Sequence, residues 1–91
     1  MRFKLGKLLW TRGVNDKVAD SAAFAKFVLD ALKRHRCGDW GDLPPEDKAE
    51  NEYSIDQGLR ILSAYDHPEG KIWIITEADR SATTILFPEE Y

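Results

Sequence analysis

The chain has 91 residues, 43% of them apolar, with 13 Lys or Arg against 16 Asp or Glu and a net charge of −3. That length makes one domain, residues 1–91, able to close one modest core without staples, and the apolar fraction excludes a disordered chain. The single cysteine excludes an intramolecular disulfide framework and fits a reducing cytoplasm. No stretch reaches the roughly 20 apolar residues of a membrane span, and residues 1–7, although basic, carry no apolar run of signal length.

The charge is segregated. Residues 1–37 hold nine basic and three acidic groups, whereas residues 38–57 hold Lys48 alone against Asp39, Asp42, Glu46, Asp47, Glu50, Glu52 and Asp56. Such asymmetry can steer a partner, although solvated helix faces also produce it.

In chain order, residues 3–11 predict a first strand, with Phe3, Leu5, Lys7 and Leu9 on one face; Gly13-Val14-Asn15-Asp16 then predicts a break. A helix follows. Asp20 or Ser21 can cap it, and Phe24, Phe27, Val28, Ala31 and Leu32 form one apolar stripe. Lys33, Arg34, His35 and Arg36 suit its last turn, and Gly38 suits its exit. The two prolines predict a second helix beginning at Pro45 and ending before Gly58, with Glu46 and Asp47 in its first turn. Its apolar content is thin, so it is either solvated or meets a partner.

Residues 60–65, 71–76 and 82–87 are rich in β-branched and aromatic residues and predict three strands. Turns at residues 66–70 and 77–81 join them, and the middle strand, the most apolar, should be central. The expected fold is α+β in the order β-α-α-β-β-β: an antiparallel sheet of three C-terminal strands and one N-terminal strand, with two helices on one face.

Several runs are recognisable together: Gly38-Asp39-Trp40-Gly41-Asp42, Glu50-Asn51-Glu52, Gly58-Leu59-Arg60-Ile61-Leu62-Ser63-Ala64-Tyr65, and the chain from Ile72 to the end. They resemble a family of short bacterial proteins carried on plasmids and integrative elements and labelled "plasmid-related". The resemblance covers the last 54 residues and implies a mobile-element setting. It implies no activity and no catalytic residue.

Catalytic chemistry is hard to assemble from these residues. Cys37 and His35 lie two apart on a helix end, where their side chains diverge. Cys37, His35 and His67 lack zinc spacing, and Asp39, Asp42, Glu46 and Glu50 do not follow a calcium-loop pattern, so no cofactor or metal is expected. Glu69-Gly70-Lys71 resembles half of a metal-dependent nuclease site, with Asp56 as its further carboxylate, but a surface turn, with Glu69 between Pro68 and Gly70, is the better explanation. The acidic pI of about 5.3 and the absence of a reading motif argue against a dedicated nucleic-acid binder.

The residues that remain are Asp39, Trp40, Asp42, Glu46, Asp47 and Glu50. They point to a small cytoplasmic protein-interaction module that meets an unidentified protein through an acidic loop and helix. Trp40 is either its anchor or a lid over the core, the indole N–H bonded to a carbonyl. Two alternatives are a metal-dependent hydrolase or nuclease, and a nucleic-acid mimic that inhibits a host defence enzyme. A homo-oligomer that completes its own core is a further expectation.

Overall fold

The three apolar runs of the C-terminal third pair as an antiparallel meander. In the computed structural model, which describes all 91 residues, they are β2 (Ile61–Tyr65), β3 (Ile72–Thr76) and β4 (Ala82–Leu86). Ile74 of β3 lies between Ser63 of β2 and Ile85 of β4, so the most apolar strand is interior, as expected. Two helices also form where they are expected. The long amphipathic one, α2 (Ala22–Arg36), is capped by Ser21, whose hydroxyl accepts from the Phe24 amide. The acidic one, α3 (Pro45–Gln57), begins with proline at its first position and stops before Gly58.

The α+β class holds, but the sheet is mixed rather than wholly antiparallel. The N-terminal strand β1 (Lys7–Trp10) pairs parallel to β4, giving the order β1-β4-β3-β2. A third helix, α1 (Arg12–Asp20), occupies the segment read as a break. The two departures share a cause. Running β1 alongside β4 brings Thr11 to the C-terminal end of β4, followed by a 3-10 turn (Pro88–Glu90). There the Glu90 carboxylate accepts from the Thr11 hydroxyl (2.5 Å), the Gly13 amide (3.0 Å) and the Phe87 amide (2.9 Å). Thr11 itself caps α1 by accepting from the Val14 amide. A helix start completed by a carboxylate 77 residues away overrides the local turn signal.

β1 is also shorter than expected. Gly6 has φ +66°, and a Cβ there would run into the Arg80 and Ser81 backbone, so the chain kinks out of strand geometry. Phe3 and Leu5, placed on a strand face by alternation, instead join Trp40, Ile61, Leu43 and Ile55 in a small second core.

The main core lies between the sheet and the α1–α2 pair: Val14, Phe24, Val28 and Ala31 close over Tyr65, Ile72, Ile74 and Ile85. Each large buried side chain contributes about 1.5–3 kcal/mol through removal of apolar surface from water. α3 packs differently, along the free edge of β2. The Asn51 amide donates to the Leu62 carbonyl (2.7 Å) and accepts from the Leu62 amide (3.2 Å). Next to it the loop at Gly41 runs as a one-residue bridge beside Ala64, with the Asp42 amide donating to the Ala64 carbonyl at 2.7 Å. Gly41 has φ +72°, and a Cβ there would meet the Ala64 carbonyl and the Tyr65 ring. Only glycine permits so close an approach. One edge of the sheet is therefore sealed.

Arg80 locks the same corner. It is the one non-glycine residue with positive φ (61°), and its guanidinium donates to the carbonyls of Leu59, Glu77, Ala78 and Ser54. The Arg80 side chain thereby caps the end of α3, while Glu77 pairs with Arg60 and Asp79 accepts from the Ser81 amide.

Candidate functional site

The acidic segment folds as a loop and a helix with distinct jobs. Asp39 is held by Arg34 through two hydrogen bonds (2.7 and 3.2 Å) and accepts from the Gly41 amide. The Arg34 guanidinium keeps this carboxyl below its usual range. Asp42 accepts from the Asp66 amide at 2.8 Å, tying the loop to the first hairpin turn. Both residues are exposed, but their carboxylates serve the loop's own geometry.

Trp40 is not an anchor for a partner. It is buried, stacked on Phe3 and set edge-on to His35, as a lid over the second core. Its indole N–H donates to the Glu52 carboxylate (2.8 Å) rather than to a carbonyl, and Arg2 clasps the same carboxylate at 2.7 and 2.9 Å. Arg2 and Trp40 together hold Glu52 below the usual carboxylate range.

Glu46, Asp47 and Glu50 remain exposed on α3 and form no salt bridge within the chain, and the same is true of Asp56. Helical spacing puts Glu46, Glu50, Tyr53 and Asp56 on one outward face. Tyr53, 55% exposed, is its aromatic centre. Beside this face a shallow cavity of about 290 Å³ opens between α3 and the sheet, lined by Asp47, Glu50, Asn51, Arg60, Leu43 and Leu62. Of the residues singled out in the sequence, Asp47 and Glu50 meet at the cavity and Glu46 extends the patch. Asp39, Trp40 and Asp42 lie outside it.

Two contributors were missed in the sequence. Tyr53 lies there in the second helix, whose thin apolar content gives no reason to single it out. Arg60 reads as the first residue of a strand; it stacks on Tyr91, bonds the Tyr91 hydroxyl at 2.7 Å, pairs with Glu77 and borders the cavity beside Asp47 and Glu50. The helical spacing of Glu46, Glu50 and Tyr53 would have found the first. Nothing local would have found the second.

No family model, curated protein or solved structure matches the chain.

The geometry assembles none of the catalytic candidates. Cys37 is exposed, while His35 is fully buried with both ring nitrogens occupied, so no thiol–imidazole pair exists. Glu69 accepts from the Ser21 hydroxyl and pairs with Lys17, whereas Lys71 pairs with Asp66. Asp56 sits on α3, and nowhere do three His, Cys, Asp or Glu residues gather to hold a metal ion. No helix is long and apolar enough to cross a membrane.

His35 instead heads a buried polar chain whose protons can be assigned. The Thr83 hydroxyl donates to the Leu5 carbonyl (2.7 Å), so it must accept from Thr76 (2.7 Å). Thr76 has then used its only proton and accepts from His35 Nε2 (2.9 Å). Nδ1 is left to accept from the Ser63 hydroxyl at 2.6 Å. The imidazole is neutral with its proton on Nε2, and burial lowers its pKa from 6.5 to about 4. Phe3 and Trp40 pack against it edge-on, so His35 links the two cores. Its role is architectural.

Proposed function

We propose that this protein is an interaction module that presents the outer face of α3 to a basic surface on another protein. One observation carries the reading. α3 is docked through the polar contacts of Asn51 and Glu52, not through an apolar stripe, and it leaves Tyr53 uncovered among carboxylates that have no ion-pair partner. A solvated helix needs no aromatic residue on its outer face, whereas tyrosine amid charge suits recognition: it supplies contact area at low entropy cost and its hydroxyl stays hydrogen-bonded. The unpaired carboxylates would steer a cationic partner and set its orientation. The cavity beside them, with Arg60 on its far wall, offers a second polar contact point.

The resemblance to short plasmid-borne proteins supports seeking that partner among proteins of a mobile element or its bacterial host. The test is affinity capture from a bacterial lysate, with and without nuclease treatment, comparing the natural chain with Glu46→Lys/Asp47→Lys/Glu50→Lys and, separately, Tyr53→Ala. A protein retained by the natural chain, lost with the triple variant and reduced at least fivefold by Tyr53→Ala is the expected outcome. Undiminished capture by the triple variant, or recovery that disappears with nuclease, would sink the proposal.

A further inference from the structure

The two edges of the sheet are treated oppositely. Asn51 and the Gly41 loop close the β2 edge, but nothing pairs with β1 on its outer side. Lys7 and Thr11 donate to Ser81 and Ile85 of the neighbouring chain segment. By the alternation of a parallel ladder, the amides and carbonyls of Leu8 and Trp10 therefore face away from the sheet. All four β1 residues are exposed. Natural sheets normally blunt such an edge with charge, a proline or a covering loop; here the residues at the open positions are a leucine and a tryptophan.

The strand is flanked by a groove. Leu8, Leu9 and Trp10 on one side and Val28, Leu29 and Leu32 of α2 on the other enclose about 220 Å³, floored by Ile85, with no polar side chain in the lining. Leu8 and Trp10 share the α2 side of the sheet with Ile85. Taking about 200 Å² for a large apolar side chain, the exposed fractions of Leu8 (53%), Trp10 (46%) and Leu29 (58%) amount to roughly 300 Å². That lies within the range of the largest apolar patch on an ordinary monomer. Covering it on both partners would bury roughly 600 Å², far below a permanent interface and in the range of a transient contact.

Charge decides between occupants. Lys7 sits at one end of β1 and Arg12 just beyond the other; Lys33 and Arg36 each lie one helical turn past Leu29 and Leu32. None of these four cations has a salt-bridge partner in the chain. A second copy laid antiparallel along β1 would bring Lys7 toward the partner's Thr11 and Arg12 at both ends, placing like charges together.

We propose that the open β1 edge and the β1–α2 groove bind an extended peptide segment of another protein, apolar in its middle and acidic at its ends, by adding it to the sheet as a fifth strand. Backbone groups of Leu8 and Trp10 supply the ladder, alternate side chains of the peptide enter the groove, and the flanking cations select for carboxylates. This site lies on the sheet edge opposite α3, so it stands or falls independently of the acidic face.

The test is fluorescence anisotropy with two labelled peptides: four alternating valine and isoleucine residues flanked by paired glutamates, and the same core flanked by lysines. The glutamate peptide should bind at least tenfold more tightly, and its affinity should fall on going from about 50 to 500 mM salt. Leu8→Pro removes an amide that β4 does not use, so it should weaken binding at least tenfold while leaving the fold in place. The charge variant Lys7→Glu/Lys33→Glu/Arg36→Glu, which leaves the ladder untouched, should reverse the preference between the peptides. Equal binding of both peptides, or binding of neither, would overturn the proposal. So would a concentration-dependent dimer, seen by sedimentation, that Leu8→Pro dissociates; the occupant would then be a second copy.

Discussion

Replacing His35 by leucine should destabilise the protein by about 2–4 kcal/mol at neutral pH, because leucine leaves the Ser63 and Thr76 hydroxyls buried beside an apolar side chain. For a domain of this size a loss of that order lowers the melting temperature by at least ~10 °C. The same substitution should remove a specific acid sensitivity. His35 titrates near 6.5 when unfolded and about 4 when folded. Between those values the unfolded chain binds more protons, so stability rises with pH through that window. The contribution is fully present above pH 6.5 and is lost as pH falls through about 4, amounting to about 3 kcal/mol. Urea midpoints of the natural protein should therefore decline from pH 7 to pH 4, and those of His35→Leu should decline much less over that interval. Parallel declines in both would show that the imidazole is not the buried neutral group described here. The carboxylates of Asp39 and Glu52, held low by Arg34 and Arg2, add their own losses mainly below that window.

The second large effect is at Asn51. Its side chain satisfies both backbone groups of Leu62 on the β2 edge. Asn51→Leu keeps the volume but leaves an amide and a carbonyl unpaired at a largely buried position, at a cost of about 2–4 kcal/mol. Because α3 has no broad apolar stripe to fall back on, the loss should be local first. Backbone amides of α3 should exchange faster than those of α2, and the acidic surface should lose its fixed geometry. Uniform destabilisation with unchanged relative exchange would mean that α3 is anchored mainly by other contacts, such as Glu52 with Arg2 and Trp40.

These two residues also show where sequence reading reached and where it stopped. Element types were legible wherever one local signal dominated: the Phe24–Val28–Ala31 stripe for α2, Pro45 for the start of α3, and β-branched runs for β2, β3 and β4. What failed depended on distant partners. α1 is completed by Glu90, and β1 is cut short by the approach of the Arg80 and Ser81 backbone to Gly6. The parallel placement of β1 follows from that same closure. Asn51 lies on an acidic helix whose sequence fits either solvent or a partner, and His35 in a basic last turn; each is buried because its hydrogen-bond partners lie on strands that spacing along the chain does not reveal. The acidic face was half legible. Glu46, Asp47 and Glu50 stand on the surface as their sequence predicts, while Trp40, which the sequence allows as anchor or lid, is the lid over the second core and Tyr53 stands exposed on α3.

Both proposed surfaces rest on one contrast, a sealed β2 edge that carries α3 and an open β1 edge beside the apolar groove. Residue-resolved amide exchange at neutral pH tests it most directly. Leu62 and Ala64, whose amides donate to Asn51 and Trp40, should be strongly protected, while Leu8 and Trp10 should exchange close to the rate of exposed chain. Protection at Leu8 and Trp10 in the isolated monomer, or free exchange at Leu62, would contradict the assignment of the two edges.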